Sequence, residues 1–112
     1  MKKLLVKLLV VVMIVLSVSE AGFADIRVRF ARGRTSATMT GRIGSGGRIC
    51  YVANAKAGQI LTATVSSRSG QVMIFESGET SYRMEVEYSG DQSVCVDNLR
   101  GATTYSLTVS IR

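Results

Sequence analysis

Residues 51–66 read YVANAKAGQILTATVS. On the first arm Tyr51, Ala53 and Ala55 fall on one face; on the second, Leu61, Ala63 and Val65 alternate with Ile60, Thr62 and Thr64. Successive side chains of a strand point to opposite faces, so this period of two predicts a pair of half-buried strands, Arg48–Ala55 and Gln59–Ser66. Between them stands Lys56-Ala57-Gly58-Gln59, with a glycine where the chain must reverse, and the expectation is a β-hairpin.

The same alternation extends outward in both directions. Upstream, DIRVRF (25–30) places Ile26, Val28 and Phe30 opposite Arg27 and Arg29, and residues 35–43 turn Ala37, Met39 and Ile43 inward. Gly44-Ser45-Gly46-Gly47 reads as a hairpin loop. Downstream, QVMIFE (71–76) is almost wholly apolar, as expected of a strand buried on both sides. Residues 82–88 set Tyr82, Met84, Val86 and Tyr88 against Arg83, Glu85 and Glu87. Ser89-Gly90-Asp91 then reads as a short hairpin connection, followed by a strand over 92–97 and a turn at Asn98-Leu99-Arg100-Gly101. Residues 103–111 close the series with Tyr105, Leu107, Val109 and Ile111 on one face. About eight short strands, each with one apolar face, predict an all-β antiparallel sandwich, with a closed barrel as the alternative. Leu61, Phe75, Tyr82, Met84, Val86, Leu107 and Val109 are the predicted core. Outward arginines and glutamates on the first and sixth strands suit strands at sheet edges.

The 112 residues divide unequally. Met1-Lys2-Lys3 is a basic start, Leu4–Val18 is apolar apart from Lys7 and Ser17, and Gly22-Phe23-Ala24 has small residues where a signal peptidase reads. Residues 1–24 are therefore read as a secretory signal peptide, cleaved after Ala24, and 25–112 as the domain. The apolar run is shorter than the ~20 residues of a spanning helix, so no stable membrane anchor is expected after cleavage, and the location is periplasmic or secreted. Of fourteen cations, Lys2, Lys3 and Lys7 leave with that segment; of eight acids, Glu20 does. Eleven cations and seven acids remain, a net +4 that is read as solubility first and, second, as favouring anionic partners: an anionic cell-envelope component such as lipopolysaccharide or an acidic glycan, or an acidic protein patch, rather than nucleic acid. Cys50 and Cys95 both lie in the exported part, and an even count in an oxidising compartment predicts one disulfide. The faces of their strands place both sulfurs on the outer side of one sheet.

Catalytic constellations are largely missing. With no histidine in the chain, serine and cysteine triads have no base. Glu85 and Glu87 share an outward strand face, and the glycines at 41, 44, 46 and 47 lack the lysine and hydroxyl residue of a phosphate loop. No metal or cofactor site is expected, and the chain is read as a non-enzyme. The cluster Arg27, Arg29, Arg32, Arg34 reads as an exposed strand face.

Several short strings together resemble a known family. They are Phe30-Ala31-Arg32-Gly33, Ser36-Ala37-Thr38 with Thr40-Gly41, Tyr51 with Ala55-Lys56-Ala57-Gly58-Gln59, Gly90-Asp91, Arg100-Gly101, and Tyr105 through Ile111. In this order and spacing the chain resembles the bacterial periplasmic inhibitors of g-type lysozyme, within the wider set of pre-peptidase C-terminal-like sandwich domains. The resemblance implies that loops at one end of the sandwich block the lysozyme cleft, using an aromatic before the Tyr51 strand and arginines before the last strand. Arg100 stands where such an arginine does. Gly46 and Gly47 occupy the region of the loop aromatic, followed by Arg48, and the loop 98–102 is short. Arg100, Arg48 and Gly46 are thus the candidate partner-binding residues, with a g-type lysozyme the implied partner. The other reading is a non-catalytic periplasmic binding or structural module that has lost the inhibitory loop.

Overall fold

The computed structural model describes residues 25–112; the segment read as a signal peptide lies outside them. Eight strands run in order: β1 Ile26–Arg27, β2 Ser36–Ile43, β3 Arg48–Ala55, β4 Ile60–Ser67, β5 Val72–Ile74, β6 Ser81–Glu85, β7 Gly90–Asn98 and β8 Thr103–Ile111. They form two four-stranded sheets, ordered β1-β3-β7-β5 and β2-β8-β4-β6. The odd-numbered strands make one sheet and the even-numbered strands the other. Every connection therefore crosses from sheet to sheet, and no hairpin lies within either.

This overturns the hairpin expected at 51–66. Tyr51, Ala53 and Ala55 on β3 and Leu61, Ala63 and Val65 on β4 are all buried. They belong to opposite sheets, however, so they close on one another across the core instead of lying side by side. A period of two says which face is apolar; it does not say whether the partner is a neighbouring strand or the facing sheet. The turn holds its shape through a backbone bond from Gln59 N to Lys56 O (3.1 Å). Gly58, at φ +91°, donates across the gap to Val86 O (2.8 Å). The glycine loop 44–47 and the segment at Ser89-Gly90-Asp91 are likewise sheet-to-sheet crossings, and Gly90 and Asp91 already belong to β7.

Three further expectations are corrected. The first strand is short, with two paired residues running parallel to β3. Val28 continues it through a bond from its N–H to Val52 O and is buried, whereas Ile26 is 49% exposed. The run 71–76 is not buried on both sides: β5 is an edge strand three residues long, Val72 and Ile74 face the core, and Phe75 is 52% exposed on the outer side. Tyr88 is 80% exposed because β6 ends at Glu85 and the chain leaves the sheet while the sequence keeps alternating. Tyr82 and Met84 are half-buried against the core, while Val86, Leu61, Leu107 and Val109 are buried as expected. As expected, too, β1 and β6 lie at sheet edges.

A pair of tyrosine hydroxyls joins the two sheets through the middle of the core. The hydroxyls of Tyr51 on β3 and Tyr105 on β8 hydrogen-bond to each other, and both residues are buried. Burial, and next the Tyr51 hydroxyl, push the Tyr105 phenol well above its ordinary pKa. Gly41 makes room for it: a Cβ there would stand 2.9 Å from the Tyr105 hydroxyl.

Candidate functional site

Three loops meet at one end of the sandwich: 44–47 after β2, 68–71 after β4 and 99–102 after β7. Asn98 ties them together. It is the last residue of β7 and the only buried polar residue among those described. Its Nδ2 donates to Ile43 O (3.3 Å), Gly44 O (3.1 Å) and Gly101 O (3.0 Å), and its Oδ1 accepts from the Arg100 N–H (3.2 Å). Its own N–H donates to Gly47 O (3.0 Å), and the Leu99 N–H donates to Gln71 O (3.2 Å). A buried amide with all its bonds made fixes its neighbours, because each bond is costly to leave unmade. Arg100 and Leu99 project from this frame, Leu99 being 60% exposed. Gly46 sits at the tip of its loop with φ +69°. A shallow hollow between the loops is lined by Gly46, Gly47, Arg48, Asp97, Asn98 and Leu99.

The three predicted site residues are therefore at one end, but they are not equivalent. Arg48 is already occupied. Its Nε and Nη2 donate to the Asp97 carboxylate at 2.6 and 3.0 Å, and its guanidinium lies 3.9 Å from the centroid of the Phe75 ring. The Asp97 hydrogen bonds are the main reason its pKa stands above the ordinary arginine value. Arg100, by contrast, takes part in neither of the two ion pairs found among the described residues. Asn98, Leu99 and Asp97 were missed by sequence reasoning. Asparagine before Leu-Arg-Gly signals a turn, but nothing in the string tells that its side chain turns inward.

The outer faces of the two sheets differ in chemistry. On the odd sheet Cys50 and Cys95 stand directly opposite one another on β3 and β7 and form the expected disulfide, with Cα atoms 4.0 Å apart. The same face carries Arg48–Asp97 and a second two-pronged pair, Arg27 to Asp91 at 3.0 and 2.7 Å. That pair joins β1 to β7 across β3, so Arg27 is not the free surface cation its strand suggested. The even sheet shows three aligned rows of outward side chains. One is Ser36, Ser110, Thr62 and Arg83; the next is Thr38, Thr108, Thr64 and Ser81; the third is Thr40, Ser106 and Ser66.

The fold is similar to that of several solved periplasmic inhibitors of g-type lysozyme. The inhibitor of g-type lysozyme from Aeromonas hydrophila superposes with a TM-score of 0.66 at 24% identity, over 80% of this chain and 96% of that one. The Salmonella Typhimurium inhibitor of g-type lysozyme gives 0.63 at 20% identity, over 79% and 97%. A mutant of the corresponding Escherichia coli inhibitor gives 0.62 at 20%, again over 79% and 97%. The fold is shared with these structures over nearly their whole length. No family model and no curated protein matches the chain.

Proposed function

We propose that this protein is an exported, periplasmic inhibitor of a g-type lysozyme, which seats loops 44–47 and 99–102 in the enzyme's active-site cleft. The observation that carries this reading is the Asn98 frame. It binds both loops to one buried side chain and leaves Arg100 projecting from a fixed backbone. Arginine forks onto carboxylates, and a lysozyme cleft works with carboxylates. A loop fixed before binding gives up little entropy on docking. The basic, apolar start of the sequence and the periplasmic setting of the structurally similar inhibitors support the location.

Two observations favour the second reading, a non-catalytic binding or structural module. Arg48 is committed to Asp97 and Phe75, and the loop tips offer Leu99 as their single large apolar side chain. The deciding experiment adds the purified disulfide-closed protein to g-type, c-type and i-type lysozymes and follows cell-wall lysis. The inhibitor reading expects inhibition of the g-type enzyme alone, weakened by about 2 kcal/mol in Arg100→Ala. No inhibition of any of the three at micromolar protein leaves the binding module.

A further inference from the structure

The outer face of the even sheet has a composition that its role as a surface does not require. The central row, Thr38, Thr108, Thr64 and Ser81, is hydroxyl from edge to edge, and the rows on either side repeat it apart from Arg83. Neighbouring strands lie ~4.8 Å apart, so the hydroxyls form a grid whose spacing is fixed by the backbone. Each hydroxyl offers one donor and two acceptors. The Thr38–Thr108 contact at 3.0 Å uses only part of that capacity.

The cations around this grid are left without acids. Arg42 and Arg83 point outward from β2 and β6, and Arg68 follows β4. Neither ion pair among the described residues includes any of them. Glu85 is the single acid at the outward strand positions of this sheet, at a corner beside Ile60. Shallow hollows lie at both ends of the face, one beside Arg68 and the other beside Arg83. The odd sheet shows the opposite arrangement, where Arg27 and Arg48 are each held by an aspartate on β7.

We propose that this face binds a carboxylate-bearing polysaccharide, the arginines taking carboxylates and the hydroxyl rows hydrogen-bonding the sugar hydroxyls. The chemistry discriminates among polyanions. No aromatic side chain stands at the outward positions of the three rows, so a single-stranded nucleic acid finds no stacking platform. The rows hold no apolar side chain to insert into a bilayer. A neutral glycan would lack both a stacking ring and a charge partner, so affinity has to come through the forked arginine–carboxylate contact.

The test is calorimetric titration of the disulfide-closed protein with polygalacturonate, dextran and a single-stranded oligonucleotide at equal ionic strength. Polygalacturonate is expected to bind, more weakly as salt rises, and dextran not to bind. Arg68→Gln with Arg83→Gln should weaken polygalacturonate binding about tenfold or more. Thr108→Val, which keeps the shape and removes the hydroxyl, should weaken it roughly threefold, and Arg27→Gln on the other sheet should leave it unchanged. Four outcomes would overturn the proposal: no binding of polygalacturonate, equal binding of the oligonucleotide, equal loss in Arg27→Gln and in the double variant, or no loss in the double variant with unchanged circular dichroism.

Discussion

The odd and even sheets share one core but are held in different ways. The even sheet is a regular antiparallel ladder: β2, β4 and β8 are eight or nine residues long and paired over most of their length. The odd sheet has only two long strands, β3 and β7. Its edges are a two-residue parallel strand and a three-residue strand. The extra fastenings are on this sheet: the disulfide, the Arg27–Asp91 and Arg48–Asp97 pairs and the Arg48–Phe75 stack. Even the end of β5 is finished by a side chain, the Glu76 carboxylate accepting the Cys95 N–H at 2.8 Å. The Arg27–Asp91 pair and the Arg48–Phe75 stack reach the short edges β1 and β5, whereas the disulfide and the Arg48–Asp97 pair reinforce the central β3–β7 ladder to which those edges attach.

The comparison breaks most directly at the disulfide. Replacing Cys50 and Cys95 together by serine opens a 45-residue loop. Loop closure alone then predicts a loss of roughly 4 kcal/mol, read from the shift in denaturant midpoint. A loss below about 1 kcal/mol would mean that the β3–β7 ladder holds the odd sheet unaided. On the even sheet, Leu107→Ala removes a fully buried side chain and should cost about 3 kcal/mol, while Thr108→Ala on the outer face should cost well under 1. Equal costs would reverse the assignment of faces.

The link between the sheets is smaller. Tyr105→Phe leaves the buried Tyr51 hydroxyl without its partner and should cost about 1–2 kcal/mol in thermal or chemical unfolding. The smallest effect is local. Hydrogen bonds from Arg27 hold the Asp91 carboxyl below its ordinary 3.8. With the folded pKa lowered, the pair stabilises above the unfolded value and is lost as pH falls through the folded one. Amide exchange at Val28, whose N–H bonds to Val52 O, should therefore quicken relative to the even-sheet amides as pH drops below about 3.8. Asp91→Asn should show the faster exchange at neutral pH and lack the acid step. Unchanged protection of Val28 in that variant would mean that β1 is held by its backbone alone.

The sequence by itself determined the inside and outside of nearly every strand. The eighth strand is found where its alternation puts it, Thr103–Ile111, and the outward faces of Cys50 and Cys95 already placed the disulfide on one sheet. Strand patterns are local, because they follow from the pleat of the chain on itself. Only the tertiary structure decided which strands are neighbours. Tyr51 and Leu61 carry the same signal whether their strands pair or face each other across a core, and the turn between them suits either. The candidate site divides the same way. Arg100 and Gly46 were legible as loop residues, but the joining of their loops depends on Asn98, buried among carbonyls of Ile43, Gly44 and Gly101. Phe75 was misjudged, and the engagement of Arg48 was not legible, for a similar reason. An apolar run and a loop-flanking cation become a stacked pair on an outer face only because β5 ends at Ile74, beside β7 and one strand away from β3. Burial on both sides, neighbour identity and loop clustering are properties of contacts between residues distant in sequence, and no local period encodes them.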